Sequence, residues 1–264
     1  MNTAAIARQS QLDQVTDGLQ PSAALADELF AVVALLEGQP GLRNALSDPT
    51  ASEAAREQLA AALFGSRVSA DAARVVSAAA TQHWNSALDL VAALDRQGNR
   101  VLIALAQLNG ELDQVEDELF RFSRVVAANP ALQAAIDDRG AELARRQQLV
   151  SDLLSGKANP VTLTLASRAV EGRKRTFELT LDELLRLAAQ ARNRAVAVVT
   201  VARPLTPEQA GRLSKALAAQ VGRAVSLQVN VDPAVLGGVQ VRVGDEDIDG
   251  TVFGRLAAAK KQLN

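Results

Sequence analysis

A self-alignment constrains this chain more than any other feature. Displaced by 90 positions, residues 27–79 lie over residues 117–169 without a gap, and 16 of the 53 pairs are identical. Asp27–Phe30 and Asp117–Phe120 both read DELF, Pro40 matches Pro130, Leu42 matches Leu132 and Asp48 matches Asp138. Arg56 matches Arg146, while Leu59 and Leu63 match Leu149 and Leu153. Self-similarity at a fixed spacing is the mark of a structural unit copied in tandem.

Each copy reads as a string of helices. Leu25, Leu29, Val32 and Leu36 recur on one helical face, and Gly38 followed by Pro40 stops that helix. Short helices are expected over 42–46, 51–64 and 70–80, then over 111–128, 132–136, 141–154 and 161–170 in the second copy. Segments 84–95 and 177–192 close the two copies. Composition points the same way. There are 51 Ala but only six Phe, one Trp and no Tyr. Small side chains favour closely packed helices, because Ala loses no side-chain entropy on entering one.

The pattern changes near Ala195. AVAVVTVARPL (195–205) is β-branched and reads as a buried strand. Thr206-Pro207-Glu208-Gln209 is a capping box with Pro at the first helical position, and the helix it opens is expected to end near Gly222. VSLQVNV (225–231) alternates as a half-exposed strand, and Val239, Val241 and Val243 form another after Gly237-Gly238. A last helix is expected from Asp249, with Val252, Leu256, Ala259 and Leu263 on one stripe; Val252 and Leu256 are assigned to the core. The expected fold is mainly α with a small C-terminal α/β domain. Two tandem helical bundles, residues 1–97 and 98–193, precede a short-stranded sheet packed with helices over 194–264.

Several function classes fall away. With no Cys, disulfide scaffolds, thiolate zinc sites and cysteine nucleophiles are excluded. The single histidine, His83, rules out His-rich metal sites and a Ser/His/Asp triad. A net charge of −2 argues against nucleic acid as the main partner. No apolar run approaches the roughly 20 residues that span a bilayer. Asp245–Gly250 spells the opening of a calcium loop, but position 12 is Leu256 instead of Glu. It reads as a hairpin turn at Gly244-Asp245, with Asp249 capping the last helix. Ser155-Gly156-Lys157 has Ser151 where a phosphate loop needs Gly, and Gly237-Gly238 lacks dinucleotide spacing. His83 and Trp84 are expected to begin a helix, His83 as a structural or surface residue and Trp84 packed in the first bundle. No residue is assigned a catalytic, cofactor-binding or metal-binding role.

Residues 229–256, VNVDPAVLGGVQVRVGDEDIDGTVFGRL, carry a more specific signal. Asp232-Pro233, Leu236-Gly237-Gly238, Gly244-Asp245, Ile248-Asp249-Gly250 and Arg255-Leu256 resemble the C-terminal motif of the δ subunits of bacterial F-type ATP synthases. These are relatives of the mitochondrial oligomycin-sensitivity-conferring protein. VVTVARPLTPEQ (198–209) resembles the family's strand and helix start, and residues 117–136 resemble its N-terminal helical bundle. The likeness covers about residues 98–264, so residues 1–97 stand as an extra, diverged copy. Met1 favours a separate subunit over a piece of a fusion between b and δ.

The resemblance implies a non-catalytic stator part of a proton-translocating ATP synthase, at the cytoplasmic face of the cell membrane and tied to the membrane only through the complex. It implies two kinds of partner. The N-termini of α subunits are expected on the bundle after residue 97, where Leu102, Leu105 and Leu108 supply an apolar face. The b subunits are expected at the C-terminal signature: Asp232, Pro233, Leu236, Gly237, Gly238, Gly244, Asp249, Gly250, Val252 and Leu256. A helical-repeat scaffold or regulatory adapter outside ATP synthase is the alternative.

Overall fold

In the computed structural model the described residues are 3–172, 176–193, 195–222, 225–232, 239–243 and 246–249. The first copy contributes α1 (Thr3–Asp17), α2 (Ala23–Gly38), α3 (Pro40–Leu46), α4 (Glu53–Phe64) and α5 (Ala70–Thr81). A longer helix follows, α6 (Ala87–Leu108), and then α7 (Leu112–Ala127), α8 (Pro130–Asp137), α9 (Leu143–Leu154), α10 (Pro160–Ala169) and α11 (Phe177–Arg192). The chain divides into two compact units, Met1–Leu12 with Pro21–Arg192, and Asp13–Gln20 with Asn193–Asn264.

The 90-residue displacement lays α2 to α5 over α7 to α10 in order. It also explains the length of α6. Its first part is the mate of α11, and its second part is the mate of α1, so one 22-residue helix serves both copies. It runs unbroken through residues 97 and 98. From Leu90 to Ile103 nearly every residue of α6 is buried, including the polar Asp95, Gln97, Asn99 and Arg100. A helix buried around its whole circumference is an interior helix. The expected helix over 84–95 ends too early, because the polar run Asp95–Arg100 interrupts the apolar periodicity.

Side-chain caps mark several of the other helix starts. Ser22, Ser52 and Ser69 accept the backbone N–H three residues ahead at the starts of α2, α4 and α5, and Ser86 with Asp89 forms a full capping box on α6. The second copy uses Asn129 and Asn159, each followed by Pro in the first helical turn. His83 and Trp84 lie in the link between α5 and α6 and do not open a helix. The capping box at Ser86 fixes the start at Ala87, three residues later than expected.

In the second unit β1 (Ala195–Val201) is followed by α12 (Pro207–Val221), β2 (Val225–Val231), β3 (Val239–Val243) and β4 (Glu246–Asp249). The sheet order is β2-β1-β3-β4. β1 is parallel to β2 and antiparallel to β3, and β4 is antiparallel to β3. Ala197, Val199, Val201, Val225, Leu227 and Val241 share one buried face with Leu217 of α12. Thr206 and Gln209 cap α12 reciprocally, and Gly222 ends it with a positive φ of 74° that suits glycine. The parallel β1–β2 pair needs a crossover, and α12 supplies it.

Asp249 closes strand β4, where it pairs with Gln240, and the helix it is expected to cap lies outside the described residues. Glu246–Asp249 is too short and acidic to read as a strand by composition. The stretch from Gly250 onward, with Val252 and Leu256, lies outside the described residues, as does Gly244-Asp245.

Candidate functional surfaces

The repeated DELF words hold the bundle together instead of doing proton chemistry. Glu28 accepts the Ser69 N–H at 3.0 Å and its hydroxyl at 2.5 Å. Its mate Glu118 accepts the Asn159 N–H at 2.8 Å and the Thr162 hydroxyl at 2.6 Å. Ser69 and Asn159 are themselves mates, the N-caps of α5 and α10. In each copy, then, a carboxylate on one helix covers the positive end of another. Burial pushes the Glu118 carboxyl up, but hydrogen bonds from Thr162, Gln114 and the Asn159 N–H, with the Arg121 charge, outweigh it and hold the group below its usual range.

A second pair of mates is cationic. Arg56 is 1% exposed and donates to the carbonyls of Asp48 at 3.3 Å and Thr81 at 3.1 Å. Arg146 donates to those of Ile136 at 3.1 Å and Val170 at 3.0 Å. Each ties the C-terminal end of one helix to that of another, where free carbonyls collect. Asp48 and Asp138 shape the turns between, accepting the N–H groups of Thr50 and Gly140 at 2.8 and 2.9 Å. The side-chain and backbone hydrogen bonds of Thr50 lower the Asp48 carboxyl below its usual range. These residues are repeat landmarks in the sequence, and the roles of the arginines are hidden there because Thr81 and Val170 lie 25 and 24 residues further along the chain.

The expected α-binding face on α6 grades from inside to outside. Leu102 is 3% exposed and belongs to the core, Leu105 is half-buried, and Leu108 is 40% exposed. Only the last two present surface. On α7, Phe120 and Val125 are exposed at 54% and 55%, beside the Asp117–Arg121 ion pair. Of the C-terminal signature, Asp232 is exposed and its N–H bonds the Val201 carbonyl at 2.9 Å. Asp249 sits at the end of β4, whereas Pro233, Leu236, Gly237, Gly238, Gly244, Gly250, Val252 and Leu256 fall outside the described residues.

An open cleft of about 410 Å³ lies where Asn44, Ser47 and Asp48 face Trp84, Asn85 and Ser86. The Trp84 indole N–H donates to the Ala79 carbonyl at 2.8 Å, so the ring is pinned half-buried and serves packing. Among the described residues no group of three His, Cys, Asp or Glu side chains is placed to hold a metal ion. No described helix is long and apolar enough to cross a membrane.

Comparison with known proteins identifies the family. The family model described as ATP synthase delta (OSCP) subunit matches residues 99–263. A protein of Streptomyces avermitilis named ATP synthase subunit delta is 44% identical over 262 residues, covering 98% of this chain and 96% of its own length. One of the same name from Parafrankia sp. (strain EAN1pec) is 47% identical over 240 residues, covering 90% and 86%. The family model begins inside α6 and leaves out the first copy. The Streptomyces protein matches across nearly all of it.

Proposed function

The chain belongs to the ATP synthase delta (OSCP) subunit family, as a non-catalytic subunit of the peripheral stalk, and from that premise we propose that it joins two named parts of the complex. Its helical copies hold N-terminal segments of α subunits at the top of the catalytic head. Its C-terminal unit holds the ends of the b subunits, on the cytoplasmic face of the membrane. The observation that carries this reading is the match of almost the whole chain to δ subunits.

The physical task favours such a molecule. Rotation of a central shaft exerts torque on the head, and an adapter that holds the head still needs wide apolar contacts and no reactive centre. An amphipathic helix laid against an apolar helical face supplies them. The partly exposed Leu105 and Leu108 on α6 mark one such face. The first copy, residues 1–97, is a second point of attachment to the head. Two linked contacts then gain avidity without either becoming stronger.

A peptide from the α-subunit N-terminus, titrated against the full chain, tests the assignment on α6. Leu108→Asp places a charge on an exposed position and is expected to weaken peptide binding by about tenfold while leaving b binding and helical content unchanged. Unchanged peptide affinity would remove this face from the proposal.

A further inference from the structure

Three elements meet where the two copies join, and they meet pairwise. The first contact is between α2 and α6. Phe30 lies so close over Gly98 that a Cβ added there would stand 2.8 Å from the ring's Cδ1. The second is between α6 and α10, where Arg168 Nη2 donates to Asp95 Oδ1 at 2.8 Å. The third is between α10 and α2, because the Arg168 guanidinium carbon stands 3.6 Å from the centre of the Phe30 ring. The side chains of Arg168 and Asp95 are 19% and 10% exposed, and Phe30 is 6% exposed. Glu171 at 3.4 Å from the same Nη2 and Asn99, which donates to the other Asp95 oxygen at 3.2 Å, complete the setting.

We propose that Arg168, Asp95 and Phe30 form a locking joint that fixes the two helical copies as one rigid body. A planar guanidinium can stack on a ring and bond a carboxylate at its edge at the same time, which a lysine cannot. The joint closes a triangle between α2, α6 and α10, and a triangle tied at three sides has no hinge. Apart from Phe30, whose mate is Phe120, it is not part of the repeated design. The mate of Arg168 is Ala78, that of Asp95 is Leu185 and that of Gly98 is Ala188. These residues therefore belong to the junction and to neither copy's own packing. The use of such a joint, to pass load between copies without bending, rests on the stalk reading above; the joint itself rests on the geometry.

Distance measurement between two spin labels tests it on the full chain, which has no native cysteine to interfere. Ala62→Cys on α4 and Asp152→Cys on α9 place labels on exposed mates, one in each copy. The otherwise unaltered chain is expected to give one narrow distance distribution. Arg168→Gln is expected to broaden it by about twofold, with helical circular dichroism retained. Gly98→Ala is the second variant. It touches no charge and raises helix propensity, yet it displaces Phe30 from its seat, so it too should broaden the distribution. If Arg168→Gln fails to fold, Gly98→Ala decides alone. Folded variants that keep the narrow distribution would overturn the joint. Failure of the stalk reading would look different, as loss of head binding by a chain whose distribution stays narrow.

Discussion

Phe30 and Phe120 end the same four-residue word at the same place in the repeat, yet one is 6% exposed and the other 54%. Their neighbours make the difference. Phe30 rests on Gly98, whereas the mate of that glycine is Ala188, which is fully buried and carries a methyl group. The helices that carry them diverge in the same way. α2 buries Ala26, Phe30 and Val33 as a second stripe beside Leu25, Leu29, Val32 and Leu36. In α7 the mates of that second stripe are Glu116, Phe120 and Ser123, and the helix buries only Leu112, Val115, Leu119, Phe122 and Val126. The duplicated sequence thus supplies the same bundle twice. What each outer face does depends on whether another copy lies against it.

The sharpest way to break this comparison is to truncate both rings. Phe30→Ala is expected to destabilise the helical unit by about 3–5 kcal/mol, the range for a buried phenylalanine, measured by urea unfolding of the full chain. A loss under half that size would mean that the ring is not the seat of the junction.

The paired arginines give the next effect. Arg56→Ala strips two carbonyls of a buried charged donor and is expected to cost about 1–3 kcal/mol. Arg146→Ala should cost less, because Arg146 is only half-buried. Equal losses would show that the two copies bear these bonds alike despite their different exposure.

Acid should act on the second copy through Glu118. Its folded carboxyl sits below its usual value of 4.5, so the stability it adds is complete above that pH and is lost as pH falls through the lowered value. Unfolding measured between pH 6 and about pH 3 should show this loss, and Glu118→Gln should flatten it. A Glu118→Gln chain with the acid sensitivity of the parent would assign that loss to other carboxylates. The smallest effect belongs to Phe120→Ala, expected to fall within about 0.5 kcal/mol of the parent, as for an ordinary surface change.

Much of this was legible in the sequence, for identifiable reasons. The helices from α2 onward were largely readable from apolar spacing and from Gly and Pro at their ends, whereas α1 was not. The strands β1 to β3 were readable from β-branched runs. The shared α6 was not, because its buried middle is polar and Asp95 finds Arg168 only 73 residues later. The carboxylate caps were hidden for the same reason, since Glu118 meets Asn159 from 41 residues away. Leu102, Leu105 and Leu108 are spaced as one face, but they advance three residues at a time against a 3.6-residue turn. The stripe therefore winds from the core at Leu102 to the surface at Leu108.

A chain that fastens a catalytic head to a stalk should be needed for coupling, and that need is directly measurable. The test uses membranes carrying the ATP synthase of the same cell, depleted of this subunit and then given the purified full chain. Proton-driven ATP synthesis should return in proportion to the chain bound, while the chain alone hydrolyses no ATP. Binding without recovery of synthesis, or recovery without the chain joining head and b subunits, would contradict the fastening role.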